Sequence, residues 1–88
     1  MAWTIEYAKT ARDQLRKLDK AVARRIVDYL DTRVAPLQDA RQAGKALHGP
    51  LGDLWRYRIG DYRIICDIHD RMLIVLVLQI GKRSDVYR

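Results

Sequence analysis

An α+β domain is what the sequence predicts: one small, antiparallel-type sheet with a helical hairpin packed on one face, in the order β-α-α-β-β-β. Two observations carry that reading. The hydrophobic period changes from two to about 3.6 and back to two along the chain. The C-terminal half is a series of apolar runs separated by short turn signals. At 88 residues the chain forms a single domain, residues 1–88, around one core.

The first strand is Ala2 to Tyr7, where Trp3, Ile5 and Tyr7 alternate with Thr4 and Glu6. From Ala8 the spacing becomes helical. Ala11, Leu15 and Leu18 recur on one face, and Lys9, Arg12, Asp13, Arg16 and Lys17 face water. Asp19 is placed to cap a second helix whose stripe is Val22, Ile26 and Leu30, joined by Tyr29, with Pro36 beyond its end. Two amphipathic helices in succession make a hairpin that needs a sheet to cover it. Pro36 to Asp53 holds both prolines and three of the five glycines and reads mostly as loop, with room for a helical turn between Gln38 and Lys45. Leu54 to Ile59 is the second strand, and Gly60-Asp61 turns it into Tyr62 to Ile68. His69-Asp70-Arg71 turns again into Met72 to Ile80, so the last three strands form an antiparallel meander. The last strand is apolar on consecutive residues, which places it inside the sheet or under cover on both faces.

A formal net charge of +6 and a sequence pI of 9.8 point to an anionic partner: nucleic acid first, then an acidic protein or a membrane surface. The lone Cys66 excludes an internal disulfide and, in an apolar strand, reads as a small buried hydrophobe. No cluster of Cys, His and carboxylate has metal-ligand spacing, and no Gly-rich phosphate loop is present, so neither a metal nor a cofactor is expected. The N-terminus lacks a signal-peptide apolar stretch, and Met72 to Leu78 is too short to cross a bilayer as a helix. The expectation is a soluble, cytoplasmic protein without membrane contact.

The candidate site lies in LWRYRIGDYRIICDI, residues 54–68, and in the closing GKRSDVYR. Alternation sets Arg56 and Arg58 on one side of their strand, against Trp55, Tyr57 and Ile59 on the other. Arg63 follows the turn on the neighbouring strand, and Arg83 ends the last one. Planar guanidiniums suit bidentate contact with phosphate oxygens. Tyr87 adds a phenol able to take part in proton transfer. The competing reading is a solvated basic face paired with Asp61, Asp67 or Asp85, with Tyr87 as a staple for the tail. His48 and His69 have no acid–base partner nearby in sequence and read as non-catalytic.

These residues resemble the RelE/ParE superfamily of bacterial toxin–antitoxin modules over nearly the whole chain. LWRYRIGDYRII is similar to a motif of both branches. Gly81-Lys82-Arg83 followed by Tyr87 is similar to the RelE branch, whose members enter the ribosomal A site and cleave the bound mRNA. The resemblance implies the RelE-like fold and a metal-independent endoribonuclease that inhibits translation. It implies Arg63, Arg83 and Tyr87 as catalytic residues, and Arg56, Arg58 and Lys82 as RNA- or phosphate-binding ones. It also implies two partners, a RelB-like cognate antitoxin and the ribosome with bound mRNA. The chain departs from the better-known members in two ways: Arg56 and Arg58 replace lysines, and the stretch between Arg83 and Tyr87 is shorter. A ParE-like inhibitor of DNA gyrase without nuclease activity is the alternative, and an inactive relic kept for antitoxin binding is a third.

Overall fold

The computed structural model describes residues 2–49 and 52–82. Strand β1 (Thr4–Tyr7) leads into helices α1 (Lys9–Lys17) and α2 (Lys20–Tyr29). A π-helical turn over Leu30–Val34 extends α2, and a 3₁₀ turn follows at Ala40–Gln42. Four strands complete the chain: β2 (Lys45–Gly49), β3 (Gly52–Ile59), β4 (Tyr62–His69) and β5 (Ile74–Lys82). The sheet order is β1-β5-β4-β3-β2. Strands β2 to β5 run antiparallel, and β1 adds a parallel pair with β5, so the sheet is mixed.

Most of the expected elements are present. Asp19 caps α2 through its carboxylate, which accepts from the Ala21 N–H at 3.1 Å. Strand β5 is interior, between β1 and β4, which accounts for its continuous apolar run. One expectation needs correcting: the segment read as loop contains β2, so the sheet has five strands. Lys45-Ala-Leu-His-Gly is short, carries a glycine and has no apolar run, so strand propensity leaves it silent. Tertiary bonds specify it instead. The 3₁₀ turn has a capping box between Asp39 and Gln42. Tyr57 Oη donates to the Ala40 carbonyl at 2.7 Å, and Trp55 Nε1 donates to the Ala43 carbonyl at 2.6 Å. Gly44 then passes with φ +79°, where a Cβ would collide with the Arg56 carbonyl oxygen and lie 2.8 Å from Trp55 Nε1. These contacts deliver Lys45 into register with Arg56.

The core lies between the helices and one face of the sheet. Ala11, Ile26, Leu30 and Val34 pack from the helical layer against Tyr57, Ile64, Cys66, Val75 and Val77. Each large apolar side chain removed from water here contributes about 1.5–3 kcal/mol. Burial also pushes the Cys66 thiol well above its ordinary range, which keeps it protonated and unreactive. A bidentate pair ties the 3₁₀ turn to the β4–β5 connection, with Arg41 Nη1 and Nη2 at 2.8 and 2.9 Å from the two Asp70 oxygens. The hydrogen bond to Arg41 holds the Asp70 carboxyl below its usual range. Among the described residues, no helix is long and apolar enough to cross a membrane.

Candidate nucleic-acid interface

The face of the sheet away from the helices carries the site. On β3, Trp55, Tyr57 and Ile59 join the core, so Arg56 and Arg58 project to the other side. On β4, Ile64 and Cys66 join the core, so Arg63 and Ile65 project with the arginines. The register is specific. Arg58 lies directly opposite Arg63, and Arg56 lies opposite Lys45 and Ile65 on its two sides. Directly opposed residues share a face, with Cα atoms about 4.5–5.5 Å apart. Four cations therefore sit in two like-charge cross-strand pairs. Such pairs taken alone destabilise a sheet, and Arg56 and Arg63 each have a further interaction beside them.

Burial sharpens the picture. Arg63 is 4% exposed, the only charged residue buried among those described, whereas Arg58 is exposed and Arg56 half-buried. Charged side chains are seldom buried this far without specific interactions, and Arg63 has interactions of its own. Across β5 its partner is Gly81, which adds no side chain above it. The result is a basic sheet face on which exposed Arg58 and half-buried Arg56 carry planar donors suited to the oxygens of a phosphodiester.

The structure thus brings together Arg56, Arg58 and Arg63. Arg83 and Tyr87 lie outside the described residues. Lys82 is placed differently from these arginines: it opposes Tyr62, which packs toward the helices, so alternation sets Lys82 on the helix side of the sheet. Lys45 is the residue that sequence reasoning missed. Its position depends on β2, and the only signals for β2 were distant ones, Gly44 and the indole and phenol of Trp55 and Tyr57. His69 is exposed beside Asp67, Nε2 to Oδ2 at 3.3 Å. It lies at the far end of β4 from Arg63. Among the described residues, no group of three or more His, Cys, Asp or Glu is placed to hold a metal ion.

Comparison with known proteins agrees with this architecture. The family model described as the ParE toxin of the type II toxin–antitoxin system, parDE, matches residues 5–87. Toxin RelG of Mycobacterium tuberculosis is 31% identical over 90 residues, covering 100% of this chain and 99% of the relative. The toxin–antitoxin complex RelBE2 of the same organism contains a chain that superposes with a TM-score of 0.84 at 26% identity, over 97% of this chain and 95% of that one. The archaeal RelE–RelB complex of Pyrococcus horikoshii gives a TM-score of 0.69 at 26% identity, over 98% and 100% of the two chains. From the opening strand to the closing tail, then, the chain belongs to the ParE toxin family of type II toxin–antitoxin systems, within the RelE/ParE superfamily.

Proposed function

We propose that this toxin is a ribosome-dependent endoribonuclease that cleaves mRNA in the A site and so inhibits translation. The observation that carries the reading is the pair of like-charge couples, Lys45–Arg56 and Arg58–Arg63, on the face of the sheet away from the helices. A bound polyanion turns that repulsion into attraction. RNA brings its own nucleophile, the ribose 2′-OH, so the protein has only to position the strand, neutralise charge and move protons. In this mechanism the 2′-oxygen attacks the adjacent phosphorus and the 5′-oxygen leaves, giving first a cyclic phosphate. Arg56, Arg58 and Arg63 hold the non-bridging oxygens and stabilise the extra charge of the transition state. Tyr87, as its phenolate, accepts the 2′-OH proton, and Arg83 stabilises or protonates the leaving oxygen.

The chemistry is weak without help. A guanidinium with a pKa above about 12 is a poor base, and a phenol near about 10 is little better at neutral pH. Free RNA should therefore be cut slowly, with ribosome binding energy supplying the in-line geometry. The partner that restrains the toxin is a RelB-like antitoxin, by analogy with the related chains solved as toxin–antitoxin complexes. Its acidic or amphipathic segment would cover the basic face. Primer extension on mRNA from cells expressing the chain tests the activity, with cuts expected inside translated codons. Tyr87→Phe should lower the rate at least about a hundredfold and flatten its rise with pH. A parental rate and profile in that variant would exclude the phenol as base.

A second reading is favoured by the family model itself, which is named for ParE toxins. Here the arginines contact protein or DNA, and the target is gyrase. Gyrase-dependent DNA breaks with intact mRNA would establish it.

A further inference from the structure

Resting on the reading of this chain as an RNA-binding toxin, we infer that the strand continues from the arginine face over the end of β5 into a cleft beside α1. The cleft takes the nucleotide neighbouring the one cut. It has a volume of about 380 Å³, and Gln14, Lys17, Tyr62 and Lys82 stand in its lining.

The cleft exists because β1 is shorter than β5. The parallel pairing stops at Tyr7↔Val77, and the chain then leaves for α1. Among the described residues, no strand lies beside the edge of the rest of β5. The Ile80 N–H on that edge is satisfied by Gln14 Oε1 at 2.6 Å. By alternation the Lys82 N–H points to the same edge. A backbone donor can be met only by the amide oxygen of Gln14, so the side-chain NH₂ is turned away from Ile80 and is left as a donor. Lys17 and Lys82 are exposed, and neither is in an ion pair among the described residues. The wall is therefore rich in donors and calls for a ligand rich in acceptors.

Gly81 joins this cleft to the arginine face. It lies opposite Arg63 and places no side chain of its own between Arg58 and Arg63 on one side and Lys82 on the other. A phosphodiester chain neutralised by the arginines can pass over it, placing its next phosphate between Lys17 and Lys82. An acidic peptide is also rich in acceptors. RNA fits better, because Tyr62 offers a ring and Gln14 offers an amide, the groups that stack on and read an unpaired base.

The test is a titration of the ¹⁵N-labelled full chain with a single-stranded RNA trinucleotide whose central 2′-OH is replaced by hydrogen, so that it is not cut there. The Gln14 side-chain NH₂ and the Gly81 and Lys82 amides should shift with the same Kd as the Arg58 and Arg63 amides. Lys17→Ala should weaken Kd about 3- to 10-fold and make the salt dependence of log K shallower by about 1. Arg33→Ala removes the same charge from the exposed turn at the other end of the helical layer and should leave Kd within about twofold. If Arg58 and Arg63 respond while the cleft stays silent, and Lys17→Ala behaves like Arg33→Ala, the cleft assignment is overturned and the RNA reading survives. If no signal responds to RNA, both are overturned. An equal response to a glutamate peptide of matched charge would assign the cleft to an acidic protein and overturn the inference.

Discussion

Replacing Arg58 by threonine should make this protein more stable and less active at once. Arg58 stands directly across from Arg63, which is almost wholly buried. With the two charges splayed to about 6 Å, the repulsion is about 0.7 kcal/mol at a dielectric constant of about 80 and about 2.8 kcal/mol at about 20. Arg58 is exposed, so the lower end applies, about 0.5–1 kcal/mol. Threonine is also the better strand former. At about 4–8 °C per kcal/mol for a domain of this size, Tm should rise by about 2–8 °C in low salt. In about 1 M salt the Debye length falls to about 3 Å, so the gain should shrink to less than half. Thermal melts followed by far-UV circular dichroism at the two salt concentrations measure both effects. Cleavage on programmed ribosomes should fall by about 10²–10³, the usual cost of one transition-state donor. An unchanged or lower Tm, with the parent's salt dependence, would refute the reasoning. The pair would then not be repulsive, and the clustered arginines would no longer imply an anion that neutralises them.

Other perturbations test how the site is held. Burial pushes the Tyr57 phenol well above 10 and the Tyr7 phenol up to about 12. The unfolded chain releases both protons near about 10 while the folded chain keeps them. The stability they contribute is therefore complete below about pH 10 and lost as pH rises through the folded values, which urea melts between pH 8 and 11.5, roughly, would show. Tyr57→Phe should reduce that slope and cost about 1 kcal/mol at neutral pH through the lost bond to Ala40. Cys66 should react with Ellman's reagent no faster than the protein opens, at a rate independent of reagent concentration; fast labelling of the native protein would contradict its burial. Gly44→Ala should cost about 2 kcal/mol or more, because φ is +79° and the new methyl group meets the Arg56 carbonyl. Hydrogen exchange should then show β2 losing protection ahead of β3 and β4.

What the sequence disclosed, and what it withheld, follows from how each element is specified. The helices and the meander are written in local period. Ile26 and Leu30, or Tyr57 and Ile64, reveal their faces by spacing alone, and the arginine side of β3 follows from the same alternation. Strand β2 has no such signature, because its place is set by bonds from Trp55 and Tyr57 to a loop more than ten residues earlier. The site was therefore legible as three arginines, while Lys45, its fourth cation, was not. Lys82 shows the complementary limit. Resemblance alone grouped Lys82 with the arginines as a phosphate-binding residue, whereas adjacent strand residues point to opposite faces, and pairing with Tyr62 sets Lys82 on the helix side. One strand end thus carries two differently facing basic surfaces with a glycine between them. A bound chain can use both only by crossing that glycine, so a side chain at position 81 should separate the two surfaces functionally while leaving each intact. Gly81→Val should keep the arginine-face response to RNA and abolish the response at Lys82. Retention of both would mean that the strand does not take this route.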